Sequence, residues 1–166
     1  RSQVGDPRLL YPLYCLLYTM PGIPSIYYGS EYGVPGRKAG DSDAPLRPSI
    51  AQLEAGPREP DLAPVLVRLA RLRQRLPALR RGSYSELLVG ARQFAFLREW
   101  EGQKAIVALN SDSAAIDLDL ALPFQAGDFR DELEAEGGGK AEVFRAQGTR
   151  LRLRLNPGWA RVLVPA

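Results

Sequence analysis

The sequence predicts an α/β segment followed by an all-β segment, the change falling near Gly82. Three observations predict it. Two stretches before that point place apolar residues at helical spacing, a short continuous apolar run lies between them, and after it the apolar period falls to two. A helix, a buried strand, a loop and a second helix form the local grammar of folds whose strands are covered on both faces by helices. Short alternating strands parted by turns describe an antiparallel β-sandwich. The expected division is residues 1–82 and residues 83–166.

The first helix opens at Asp6-Pro7, where the aspartate can accept from free amides and the proline forfeits no helical bond. Leu9, Leu10, Leu13, Leu16 and Leu17 then recur at helical spacing, and Tyr11, Tyr14 and Tyr18 fill another stripe. Pro12 must kink or delay the opening turn, and Met20-Pro21-Gly22 stops the helix. Residues 23–28, apolar, β-branched and aromatic between Gly22 and Gly29, suit a fully buried strand of a parallel sheet. Residues 30–60 are rich in glycine and proline, among them Gly33, Pro35, Gly40, Pro45 and Pro57, and read as one long loop, a length that is usually functional. A second helix opens at Asp61 and places Leu62, Val65, Leu66, Leu69, Leu72 and Leu76 on one stripe with arginines opposite, until Pro77 ends it.

Beyond Gly82, Phe94 and Phe96, residues 116–120 and residues 149–155 alternate apolar with polar. Residues 106–109 are continuously apolar, which predicts a central strand. Turn signals at Glu101-Gly102, Asn110-Ser111-Asp112, Ala126-Gly127-Asp128, Gly137-Gly138-Gly139 and Asn156-Pro157-Gly158 separate about seven or eight strands. Asp117 and Asp119 on one strand, with Arg150, Arg152 and Arg154 on another, favour cross-strand pairing of the two.

Composition excludes several functions. Of 22 basic residues only Lys38, Lys104 and Lys140 are lysines, and the net charge is only +3. The helical arginines lie opposite leucine, without the clustered basic face and stacking aromatics of a nucleic-acid surface. The longest apolar stretch, residues 9–20, contains Pro12 and is shorter than the ~20 residues a membrane span needs. Neither nucleic acid nor membrane is therefore an expected partner, and no signal peptide is discernible. The lone Cys15 reads as a buried thiol, which constrains compartment little and tilts toward the cytoplasm.

Thr19-Met20-Pro21-Gly22-Ile23-Pro24-Ser25-Ile26-Tyr27-Tyr28-Gly29-Ser30-Glu31 carries the clearest motif. It resembles the eighth barrel strand of the α-amylase superfamily of glycoside hydrolases, whose usual form is T-x-P-G-x-P-x-x-Y-Y-G-x-E. All eight specified positions match. Leu76-Pro77-Ala78-Leu79-Arg80-Arg81-Gly82 is similar to the end of a barrel-closing helix. Phe94-Ala95-Phe96-Leu97-Arg98, Ile106-Val107-Ala108-Leu109-Asn110 and the final Gly158-Trp159-Ala160-Arg161-Val162-Leu163-Val164 resemble strands of that family's β-rich domain C. The resemblance implies the last strand and flanking helices of a TIM (β/α)8 barrel, followed by domain C. It also implies a parent enzyme that acts on α-glucans or maltodextrins.

The retaining hydrolysis of that family needs two carboxyl groups about 5–5.5 Å apart, one nucleophile and one acid. The resemblance places them, with a third acidic residue, on barrel strands upstream of Arg1. No catalytic residue, metal ligand or cofactor is accordingly assigned to this chain, and the chain alone is expected to be inactive. It has no histidine for acid–base work at neutral pH.

The resemblance does leave a binding loop, Gly40-Asp41-Ser42-Asp43-Ala44-Pro45-Leu46-Arg47-Pro48. In relatives an aspartate and an arginine four residues later hold sugar hydroxyls, and Asp43 and Arg47 have that spacing, with Asp41 as the competing carboxylate. A carboxylate that accepts and a guanidinium that donates in a fixed plane suit a neutral polyol, although the same pair could simply staple the loop. Tyr28 and Tyr32 can stack on a pyranose or pack inward. Glu31 can brace its neighbours or sit as a solvated loop charge. Two other readings stay open: a carbohydrate-binding module with Trp100 or Trp159 as platforms, and a non-catalytic partner subunit of the same superfamily. Without the missing N-terminal barrel portion, the apolar faces of residues 7–28 would favour self-association, which light scattering reads.

Overall fold

The computed structural model describes residues 4–166 apart from residues 57, 60 and 139. Pro57 and Pro60 of the long loop and Gly139 of the glycine turn thus lie outside the described residues. The order is helical first and β afterwards, as the change of period predicts.

Asp6 caps the amino end, its carboxylate accepting from the Arg8 amide at 3.0 Å. Pro12 has no N–H for the Arg8 carbonyl, so the chain opens as a 3-10 turn, Pro7–Leu9, before α1, Leu10–Thr19. The predicted second helix is α3, Leu62–Arg75, which buries Leu62, Val65, Leu66, Leu69 and Leu72. Pro77 does more than stop it. With its fixed φ it starts a further short helix, α4, Pro77–Arg81. Between α1 and α3 the long loop holds one more helix, α2, Ile50–Ala55, capped reciprocally by Ser49 and Gln52.

Residues 23–28 depart from expectation. They form no strand, and Ile23, expected to pack inside, is 94% exposed. A parallel strand must find a hydrogen-bonding neighbour, and the described strands all pair antiparallel with one another beyond residue 82. Leu13 and Leu17 of α1 are exposed on the same side of the helical layer as a groove that runs to Ile23.

Among its described residues the β segment contains eight antiparallel strands: β1 (Ser83–Val89), β2 (Gln93–Trp100), β3 (Gln103–Asn110), β4 (Ile116–Ala121), β5 (Asp128–Asp131), β6 (Val143–Gln147), β7 (Arg150–Leu155) and β8 (Trp159–Pro165). They run in the order β1-β2-β3-β8-β5-β6-β7-β4. β6 turns the corner, giving Val143, Phe144 and Arg145 to β5 and Ala146 and Gln147 to β7. The sheet thus folds back on itself and brings β4 close to β1, so the expected sandwich is a nearly closed sheet. A register shift between Glu86 and Leu88 bulges β1. The charge ladder forms as anticipated: Asp117 faces Arg154 and Asp119 faces Arg152, with Arg150 also bonded to Asp119.

Two cores result. Ala95, Leu97, Ile106 and Ala108 point into the folded sheet toward Leu118, Leu120, Leu151, Leu153 and Leu155. Phe96, Val107, Leu109 and Val162 point the other way and share a core with Leu10, Cys15, Leu66 and Leu69 of the helices. β2 and β3 are therefore covered on both faces, the reason residues 106–109 are apolar without alternation. Burial pushes the Cys15 thiol well above its usual range.

Two arginines gather where helices end, Arg98 of β2 joining the layers and Arg73 of α3 tying the helices to one another. Arg98, 1% exposed, donates to the carbonyls of Leu79 (3.1 Å), Gly82 (2.9 Å), Ser83 (3.0 Å) and Thr19. Arg73 donates to the carbonyls of Tyr18 at 2.7 Å and Leu79 at 2.9 Å, and to that of Gly22. The last carbonyls of α1 and α4 lack intrahelical donors, and the negative ends of these helices compensate buried cations. Burial, then mutual repulsion, holds the Arg98 guanidinium below its usual range.

A second junction rests on α5, Glu132–Ala135. Asp131 caps it, accepting from the Leu133 amide at 3.1 Å, and its other oxygen takes a bond from Arg161 at 2.9 Å. Arg75 of α3 reaches Glu132 at 2.6 Å and Glu136 at 3.0 Å. Burial raises the Asp131 carboxyl above its usual range, against the opposing pull of Arg161 and the α5 amides. The folded state therefore binds this proton more tightly than the unfolded state. Its contribution is fully present below the ordinary aspartate pKa, about 4, and is lost as pH rises through the raised value. Asp131→Asn keeps the cap and removes the titration. The unfolding free energy of the parent minus that of the variant is expected to fall as pH climbs through this window and then level off. Urea denaturation across a pH series measures it, and a rising difference would contradict the assignment.

Candidate functional site

The candidate site gathers where residues 23–28 meet the long loop. Gly29 turns the chain with φ +85°, in the left-handed region glycine tolerates. A Cβ there would lie 2.7 Å from a Leu53 methyl, so α2 packs directly on this turn. The hydroxyl of Tyr14 donates to the Ser30 carbonyl at 2.9 Å and ties the turn to α1.

Just before the turn, Tyr27 and Tyr28 are 53% and 45% exposed, their ring centroids 4.7 Å apart. They line a groove of about 250 Å³ with Val34, Pro35, Pro45 and Leu46. Tyr28 thus faces solvent rather than packing inward. Burial and the neighbouring Tyr27 hydroxyl raise the Tyr28 phenol above its usual range, and the nearby Arg47 charge opposes them.

Asp43 and Arg47 flank a 3-10 turn, Ala44–Leu46, whose Leu46 amide donates to the Asp43 carbonyl at 2.8 Å. Both side chains are exposed. The ion pair Asp43 makes is with Lys38, at 3.6 Å, so the Asp–Arg staple is not the arrangement seen. Asp41 is exposed on the same loop, which Ala39 and Ser42 close by reciprocal backbone bonds. Tyr32 points elsewhere: the Arg58 guanidinium sits 4.5 Å over its ring and also bonds the Leu53 carbonyl, which packs the loop against α2.

Glu31 lies in the 3-10 turn Ser30–Tyr32, off the groove lining. Its Oε2 is buried with no hydrogen-bond partner among the described residues. Carboxylate oxygens are rarely buried this way, because desolvation without a donor costs about 1–3 kcal/mol. The groove itself has an aromatic and proline wall, while the exposed Asp43 and Arg47 side chains lie on the same loop outside its lining. Among the described residues no cluster of His, Cys, Asp and Glu is placed to hold a metal ion, and no helix is long and apolar enough to cross a membrane.

The sequence left α2 unread, although Ser49-Ile50-Ala51-Gln52 is a capping-box signature. It left α5 unread too, where Asp131 precedes Glu134 by three residues in the same pattern.

No family model matches the chain. Its sequence is 27% identical over 158 residues to a cyclomaltodextrin glucanotransferase of Geobacillus stearothermophilus, covering 93% of this chain and 21% of that relative. It is 34% identical over 96 residues to a cyclomaltodextrinase of Thermoanaerobacter pseudethanolicus, covering 58% of this chain and 16% of that one. The chain thus spans about a fifth of the curated relatives' length. The fold superposes on an Anoxybacillus α-amylase with TM-score 0.78 and 25% identity, over 97% of this chain and 33% of that structure. An α-amylase from Geobacillus thermoleovorans, complexed with acarbose, gives TM-score 0.77 and 24% identity over 96% of this chain and 33% of that one. With helices first, a nearly closed antiparallel sheet after them, and likeness running through both, the chain is similar in sequence and fold to the C-terminal region of α-amylase-family glycoside hydrolases.

Proposed function

We propose that this chain supplies the rim of an α-glucan site in a retaining glycosidase whose nucleophile and acid lie on barrel strands outside it. Residues 1–82 complete the barrel, residues 83–166 form domain C, and the chain alone has no turnover. The observation that carries this reading is the groove that the exposed Tyr27 and Tyr28 share with Pro45 and Leu46, the turn whose flanks are Asp43 and Arg47. Asp43 accepts from sugar hydroxyls, Arg47 donates to them, and Tyr28 offers its face to the ring's C–H surface. Glu31, with a buried oxygen open to a donor, braces the upstream barrel. Likeness to enzymes named for cyclomaltodextrins, and to an amylase that binds acarbose, supports α-linked glucose as the substrate unit.

In a protein joining this chain to a complete upstream barrel, Asp43→Ala or Arg47→Ala is expected to raise KM for maltotriose about tenfold or more. A charge-assisted hydrogen bond is worth about 1.5–3 kcal/mol. The purified chain by itself is expected to leave a nitrophenyl α-glucoside intact. Turnover that tracks with the chain, or a KM indifferent to both substitutions, counts against the proposal.

A further inference from the structure

A second pocket lies away from this groove, between α1, α3, α5 and the start of β8. It has a volume of about 260 Å³, and none of its lining residues contributes to the Tyr28 groove. Tyr11 and Trp159 form its aromatic corner, with ring centroids 6.2 Å apart and planes inclined by 35°. Both rings are partly exposed.

Two charged groups of opposite sign complete the lining, Arg68 from α3 and Glu134 from α5. The Arg68 head lies close over Gly137, where a Cβ would stand 2.7 Å from Arg68 Nη1. Glu134 stands 3.7 Å from Arg161, and its side chain is 48% exposed, so its oxygens keep room for another donor. The floor is apolar, made by Val65 and Leu133.

We propose that this pocket is a second carbohydrate site, taking one glucosyl unit of an α-glucan apart from the groove at Tyr28. A cation and an anion together disfavour a strongly charged ligand of either sign, whereas a neutral sugar uses both, its hydroxyls accepting from Arg68 and donating to Glu134. The aromatic corner takes the apolar face of the ring. The choice of an α-glucan rests on the proposed function; the pocket itself rests on its geometry.

Trp100 and Trp159 are the chain's tryptophans, so Trp100→Phe leaves Trp159 as a sole reporter. In that background, titrating maltotriose is expected to change Trp159 emission saturably and to shift the backbone amides of Gly137 and Ala160. Arg68→Ala and Glu134→Gln, each checked for an unchanged urea midpoint, are expected to weaken this response about tenfold, while Asp43→Ala leaves it intact. A response confined to Tyr28 and residues 40–48 would overturn the second site and leave the proposed function standing. A response at the pocket that survives the loss of both Arg68 and Glu134, or no response at Trp159, Gly137 and Ala160, would also overturn it.

Discussion

Arg98→Ala is expected to lower the unfolding free energy by about 3–5 kcal/mol, because several buried carbonyls lose their donor, at about 1–3 kcal/mol each, and a large side chain leaves the interior. Arg98 is 1% exposed and serves carbonyls from three places, the end of α1 (Thr19), the end of α4 (Leu79) and the junction at Gly82 and Ser83. Alanine leaves those carbonyls without their donor and opens a cavity the length of an arginine side chain. Lysine in its place has one donor head where the guanidinium has a planar fork, and is expected to recover only part of the loss. Urea denaturation reads both variants, and a midpoint for the alanine variant within error of the parent would remove Arg98 from its structural role.

Part of this was legible in the sequence and part was not, for physical reasons. Local periodicity gave α1, α3 and the strands, because burial on one face writes itself into the spacing of apolar residues. The Asp117 and Asp119 pairing with Arg150, Arg152 and Arg154 was legible because a strand's polar face repeats every second residue. Arg98 was not: it looks like a solvated charge after Leu97, and its carbonyl partner Thr19 lies 79 residues away. Residues 23–28 carry a strand's composition, but a parallel strand is completed by neighbours, and no described strand lies beside them to pair. In the candidate site, Tyr28 and the Asp43 loop were singled out by motif. Their position around one groove depends on α2 packing Leu53 against Gly29, a contact no spacing rule conveys.

Phe96→Ala is expected to cost about 3–5 kcal/mol, the range for emptying a large aromatic side chain from a core. Phe96 is fully buried on the face of β2 that meets the helices, and its ring sits 5.4 Å from both Tyr84 and Phe94. The loss falls on the interface between layers rather than on the inside of the folded sheet, where Ala95 and Leu97 point. Leucine at this position fills part of the volume and is expected to recover roughly half. A shared core also predicts one transition for helices and sheet. Far-ultraviolet dichroism and Trp emission are expected to report the same midpoint in the parent chain, with both shifted together in the variant.

The bulge in β1 and the charges along β4 bear on how the molecule keeps to itself. These are the two outermost strands of the sheet, and folding at β6 brings them together instead of leaving them as open flanks. What remains unbonded is short, kinked at Glu86 and Leu88 on one side, and studded with Asp117 and Asp119 on the other. Such margins resist recruitment of a foreign strand into an amyloid-like ladder.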